Sequence, residues 1–107
     1  MTHGMLTALL AESILGWTVT PTRFLTGKGS WKPRWKFQPT EKLADAFRLL
    51  ECAAPTKYSV GRNVAGRFWA RVEINAVTGE AVAKSKAAAI TLAVARAVGI
   101  VIEGGKL

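Results

Sequence analysis

Phe68-Trp69-Ala70-Arg71-Val72-Glu73-Ile74 is the stretch on which the fold turns. Phe68, Ala70, Val72 and Ile74 alternate with Trp69, Arg71 and Glu73, which is the period of a strand with one buried face. Downstream, Asn75 to Gly79 reads as a hairpin connection and Glu80-Ala81-Val82-Ala83 as the returning strand. Upstream, Lys57-Tyr58-Ser59-Val60 is a short strand, and Gly61 to Gly66, with Asn63, is a turn. Past Ala83 the period becomes helical. Ser85 is the N-cap of a helix that runs to Val98, before Gly99, with Ile90, Ala93, Val94, Ala97 and Val98 as its stripe. Its many alanines allow close approach to a sheet. Ile100-Val101-Ile102 reads as a short extended segment and Glu103 to Leu107 as a flexible tail.

The N-terminal half opens with a helix expected over Thr7 to Leu15, since Leu6, Leu9, Leu10, Ile14 and Trp17 recur at three- and four-residue steps. Gly16 stops it, and Trp17-Thr18-Val19-Thr20 before Pro21 makes a short edge strand. Thr22 to Gln38 is the least regular part, with Gly27-Lys28-Gly29-Ser30 as a mobile loop. In Trp31-Lys32-Pro33-Arg34-Trp35-Lys36-Phe37 apolar and basic residues alternate, so an extended backbone would set rings and Pro33 on one side and cations on the other. A second helix is expected from Glu41 to Ala53, capped by Thr40 and ended by Pro55, with Leu43, Ala46, Phe47 and Leu50 inward. The whole predicts an α/β domain of the α+β kind. A small antiparallel sheet carries helices on both faces (an α/β/α sandwich), in the order α-(β)-loop-α-β-β-β-α. One domain covers 1–107, with its core over about 5–102 built from Leu9, Leu10, Ile14, Leu43, Phe47, Leu50, Val72, Ile74, Ile90 and Val94.

Composition sets bounds on function. The 107 residues carry a formal charge of +8 and are 50% hydrophobic, enough for one folded core and too apolar for a disordered basic tail. The apolar run from Ala87 to Ile102 is broken by Arg96 and Gly99 and is short of a membrane span, and Glu12 argues against a cleaved signal. No membrane partner is expected. One cysteine, Cys52, excludes an internal disulfide and a multi-cysteine zinc site, and reads as a small buried residue in the last turn of its helix. The one histidine, His3, lies in a terminus expected to fray. Glu41 and Asp45 fit the helix dipole, and Glu73 and Glu80 a solvated sheet face. No phosphate-loop, dinucleotide or nucleophile-elbow spacing occurs. No enzymatic activity, cofactor or metal site is expected.

Charge distribution is more informative. Between Ser13 and Thr40 there is no acidic residue, whereas Arg23, Lys28, Lys32, Arg34 and Lys36 are all cationic. Arginine forks and lysine point charges suit phosphate, and tryptophan faces stack on bases. Lys28, Trp31, Lys32, Arg34, Trp35 and Lys36 are therefore the main candidate ligand-binding residues. Burial of Trp31, Trp35 and Phe37 as core anchors, with the cations merely solvated, is the competing reading. A second basic group, Arg62, Arg67, Arg71, Lys84 and Lys86, flanks the hairpin and the last helix start. There Arg71, Lys84, Ser85 and Lys86 are candidates for a further anion contact, against simple solubility as the alternative.

The chain also resembles a known family. Leu15-Gly16-Trp17 at the end of a first helix, a Trp/Pro-containing loop leading to Phe37-Gln38-Pro39-Thr40, the helix with Leu43-Ala44-Asp45-Ala46, the hairpin with Ala70-Arg71-Val72 and the alanine-rich Ala87-to-Ala93 helix together resemble the phage ABA sandwich domain. The likeness covers about residues 5 to 99 and rests on packing motifs. It implies helix/sheet/helix layering, a phage or prophage origin and action in the cytoplasm of an infected bacterium. By analogy it implies a counter-defence binder that sequesters a nucleotide immune signal, such as a cyclic nucleotide, without chemistry. A possible homodimer, through a sheet edge or the alanine-rich helix, would suit such a ligand. Two other classes stay open. Residues 57–98, with Lys84-Ser85-Lys86 at a helix start, weakly resemble half of a double-stranded-RNA-binding module, and generic DNA binding belongs beside it. The third class is a protein inhibitor that anchors on a host defence factor through Trp31, Trp35 and Trp69.

Overall fold

A computed structural model describes residues 2–27 and 29–100 of the chain. Its elements are α1 (His3–Leu10), β1 (Thr18–Val19), β2 (Arg23–Gly27), β3 (Ser30–Pro33), α2 (Leu43–Cys52), β4 (Lys57–Arg62), β5 (Phe68–Ile74), β6 (Val77–Ala83) and α3 (Lys86–Ala97). They form two antiparallel three-stranded sheets, β1-β2-β3 and β4-β5-β6. The α+β class and the order of elements are as expected, and the segment expected to be a loop supplies a sheet of its own. Residues 101–102 of the expected extended segment, the 103–107 tail and Lys28 lie outside the described residues.

The stretch 68–74 is the central strand of the second sheet. Its register runs from Lys57↔Glu73 to Arg62↔Phe68 on one side and from Phe68↔Ala83 to Ile74↔Val77 on the other. The turn into β6 is the two-residue Asn75-Ala76, with φ of +50° and +66°. It is tighter than the connection expected over 75–79, because β6 starts at Val77. Ala70, Val72, Ile74, Gly79, Ala81 and Ala83 are buried on the face that meets α3. At Gly79 any Cβ would collide with the carbonyl oxygen of Ala93 and the nitrogen of Ala97, so the helix rests directly on strand backbone. The alanine run permits this approach.

On its other side α3 packs against α2. The helix is consequently buried almost all round, from Ala87 to Ala97, as an amphipathic surface helix would not be. Ser85 caps it as expected, its Oγ accepting from the Ala88 N–H at 3.1 Å. Deep in this layer the Thr91 hydroxyl donates to the Pro39 carbonyl at 2.7 Å. Both helical layers, α3 and then α2, lie on one side of the β4-β5-β6 sheet, where helices on both faces were expected, because the outward positions of its strands are mostly polar or exposed and offer no second apolar face. The opposite face carries Ser59, Trp69, Arg71, Glu73, Glu80 and Val82, with Lys57–Glu73 and Arg71–Glu80 ion pairs at 3.3 and 3.1 Å. Glu73 and Glu80 therefore pair with cations.

Several local expectations are corrected. The first helix starts at His3, earlier than Thr7, with Thr2 as its cap, and gives way to a π-helical turn over Ala11–Leu15 before Gly16. Within α1 the buried face is Leu6, Thr7 and Leu10 and leaves Leu9 exposed; past it, the wider turn leaves Ala11 fully buried and Ile14 only partly. His3 is held in place: its Nδ1 lies 3.0 Å from the Thr40 hydroxyl. That hydroxyl, buried and engaged, does not cap α2, which begins two residues later than expected; the Asp45 carboxylate instead accepts from the Gln38 N–H at 3.0 Å. Leu49 is buried, whereas Leu43, the first residue of α2, is exposed and Phe47 half-buried. Cys52 is exposed, because six residues past Ala46 it has rotated off the Ala46-Leu49-Leu50 face.

Candidate functional site

The site is built on the small sheet. Phe24, the second residue of β2, is buried and packs with Trp17 and Phe37; the three ring centroids are 5.1 to 5.9 Å apart. This aromatic cluster joins the hairpin to the common core. The β2–β3 register sets Leu25 against Trp31 and Phe24 against Lys32, so Trp31 faces outward beside Leu25. After Pro33 the chain leaves the strand as a single 3₁₀ turn over Arg34–Lys36. The uninterrupted alternation expected over 31–37 is broken there. The turn sends Trp35 outward (64% exposed), leaves Trp31 57% exposed and drops Phe37 to 1%. Phe37 is the core anchor, and the two tryptophans belong to the surface.

Each described cation of this segment lies over a ring. Arg23 sits 5.4 Å from the Trp31 centroid, Lys32 5.6 Å from Trp17, Arg34 5.5 Å from Phe24 and Lys36 5.5 Å from Trp35. Arg48 of α2 covers Trp17 at 5.1 Å. Among the described residues none of these five takes part in an ion pair. The electrostatic result is a positive surface studded with aromatic faces, whose cations form no ion pair among the described residues although Glu41 lines the cleft beside Arg34.

Arg34 differs from its neighbours. Its guanidinium donates to the Gly4 carbonyl at 3.1 Å and to the Thr20 carbonyl at 3.4 Å, tying the start of α1 to the end of β1. A cleft of about 260 Å³ opens beside it, lined among others by His3, Arg34, Trp35, Gln38, Thr40 and Glu41. Trp35 thus forms a wall of the cleft and, with Lys36, continues onto the open surface.

Trp31, Lys32, Arg34, Trp35 and Lys36 therefore share one end of the molecule. The other candidates are elsewhere. Arg71 is on the open face of the second sheet, paired with Glu80. Lys84, Ser85 and Lys86 are at the start of α3, where Lys86 and Arg62 cover Phe68 at 5.9 and 5.6 Å. The Ser85 oxygen is occupied as a cap. No hydrogen bond, ion pair or ring contact among the described residues links this group to the tryptophan surface. Sequence reading did not nominate Arg23, Arg48, His3, Gln38 or Thr40. Arg23 carried a signal in the acid-free segment, whereas the others arrive through tertiary packing.

Among the described residues no three or more His, Cys, Asp or Glu side chains gather as a metal would require. No described helix is long and apolar enough to cross a membrane.

Two small antiparallel sheets, a helix buried between sheet and helix, and a cationic aromatic surface on the N-terminal hairpin define a small α+β domain. The chain belongs to the phage ABA sandwich domain family, whose sequence profile matches residues 8–95. Its fold is similar to that of a phage protein from Bacillus cereus ATCC 14579 known at 2.0 Å. The TM-score is 0.78 at 14% identity, over 96% of this chain and 93% of that one. No curated protein matches the chain.

Proposed function

We propose that this phage-family protein binds a phosphate-bearing ligand without turning it over, and that the ligand is a nucleotide signal used by a bacterial defence system. The observation that carries the reading is the set of unpaired cations interleaved with exposed Trp31 and Trp35. A base stacks on Trp35, whose outer part is free, while Lys36 and Lys32 supply charge to phosphate. Arg34 holds the platform in position and offers its remaining N–H groups to the cleft. Sequestration needs affinity alone, which suits a surface whose cleft holds one imidazole, already bonded to Thr40.

The test is depletion and release. Protein is mixed with a panel of cyclic oligonucleotides and cyclic ADP-ribose isomers, filtered, then heated, and both fractions are read by mass spectrometry. The expected result is one ligand lost from the filtrate and recovered intact, with Trp35→Ala and Lys36→Ala abolishing depletion at unchanged melting temperature. Recovery of a cleaved product would make the protein an enzyme. No depletion, with binding to nucleic acid that falls steeply as salt rises, would replace the small ligand with a polymer.

A further inference from the structure

The two edges of the β4-β5-β6 sheet are treated differently. On the β6 edge, Arg96 reaches from α3 and donates to the Glu80 carbonyl, so the strand's outward groups are partly occupied by a charged side chain. This is a guard against pairing with another strand. The β4 edge has no such guard. Its six residues pair with β5 in continuous register, without a bulge or a proline. The ladder extends to the Asn63 N–H, which donates to the Arg67 carbonyl at 2.9 Å. Because alternate residues of an antiparallel pair turn to the partner, Lys57, Ser59 and Gly61 face β5, and Tyr58, Val60 and Arg62 turn their N–H and C=O groups outward. Among the described residues no other strand and no loop backbone occupies them.

Charge identifies what fits there. Arg62 and Lys86 converge on the Phe68 ring beside one end of the edge and form no ion pair among the described residues. The middle of the edge, Ser59-Val60-Gly61, is uncharged, and Tyr58 is half exposed next to it. A second copy would bring another chain of formal charge +8 to the same place. We propose that the β4 edge accepts an extended acidic segment of a partner protein as a fourth strand. Main-chain hydrogen bonds at Tyr58, Val60 and Arg62 would hold it, and carboxylates set against Arg62 and Lys86 would select it. This surface is separate from the tryptophan hairpin and does not depend on what that hairpin binds.

The test uses labelled eight-residue peptides alternating Val with Glu, or Val with Lys, in fluorescence anisotropy. The Val/Glu peptide is expected to saturate and the Val/Lys peptide to show no binding. Val60→Pro removes an outward N–H and leaves the β4–β5 hydrogen bonds in place, so it is expected to weaken binding tenfold or more, measured well below the melting temperature of the variant because the substitution also removes Val60 packing against the core. On the wild-type protein, added Val/Glu peptide is expected to slow hydrogen exchange at the Tyr58, Val60 and Arg62 amides, a readout that stands even if the proline variant misfolds. Absence of binding, equal binding of both peptides, unchanged affinity in Val60→Pro, or protection confined to other residues would each overturn the proposal. So would a concentration-dependent dimer that Val60→Pro abolishes, since a second copy would then be the occupant.

Discussion

Arg34 and Lys36 are two residues apart, both basic and both beside an aromatic ring, yet their surroundings differ and so, on the proposed function, do the effects expected of replacing them. Replacing Arg34 with Ala removes its donations to the Gly4 and Thr20 carbonyls and its place over Phe24. A hydrogen bond from a charged donor is worth about 1.5–3 kcal/mol. The bond to Gly4 is solvent-exposed and that to Thr20 is long at 3.4 Å, so the pair counts as roughly one such bond. With a partly exposed cation–π contact worth about 0.5 kcal/mol, the loss comes to about 2 kcal/mol. For a domain of this size that lowers the melting temperature by roughly 8–16 °C. Lys36 is exposed, lies over the exposed Trp35 and makes no side-chain hydrogen bond or ion pair among the described residues, so Lys36→Ala is expected to change stability by less than about 0.5 kcal/mol and, on the proposed function, to weaken ligand binding. Arg34→Lys should recover little, since an ammonium lacks the fork that reaches two carbonyls. Differential scanning fluorimetry of the three variants decides it. If Arg34→Ala melts with the wild type, or Lys36→Ala falls as far as Arg34→Ala, the division of roles is refuted.

Three further outcomes follow from the packing. Gly79→Ala forces a methyl group into the α3 backbone and is expected to destabilise by about 3 kcal/mol or more, visible as a lower urea midpoint; an unchanged midpoint would mean that the helix does not rest on β6. Thr91→Val leaves the Pro39 carbonyl buried without its donor, and chemical denaturation should show a loss of about 1–3 kcal/mol, whereas a neutral result would require another donor at that carbonyl. Ala76→Gly relieves a side chain held at φ +66° in the β5–β6 turn and is expected to raise stability by about 0.5–1 kcal/mol, with a lower melting temperature as the contrary result.

The second half of the fold is legible in the sequence because local pattern and tertiary role agree there. The alternation over 68–74 marks the central strand, Ser85 caps where a helix must start, and the alanines of α3 announce a close approach. The turn at Asn75-Ala76 is harder to read, since alanine stands where glycine would signal two positive φ values. The first half is less legible. Phe24-Leu25-Thr26, then Gly27 to Gly29, then Ser30-Trp31 is a hairpin pattern, but five strand residues before a basic turn and four after it resemble an irregular loop when no partner sheet is in view. The π-helical turn leaves no local trace and misplaces the continuation of the stripe past α1. The tryptophans illustrate the same limit: alternation puts Trp31, Trp35 and Phe37 on one side, and only the turn at Arg34–Lys36 separates surface rings from the core ring. The candidate surface was thus visible as charge and ring content, while Arg48 and the cleft beside His3 depend on contacts between distant segments.

The attachment of the β2–β3 hairpin has a consequence for how such a protein changes over generations. Its hold on the remainder is concentrated in the Phe24 side chain, seated between Trp17 and Phe37, and in the reach of Arg34 to two carbonyls. The outward positions 23, 25, 31 and 35 are exposed and stand outside the buried core cluster. On the function proposed above, those positions could mutate in concert and trade one ligand for another, while a few small residues such as Gly79 and Ala93 keep the scaffold in shape. A lineage built this way can replace its specificity many times without inventing a new protein.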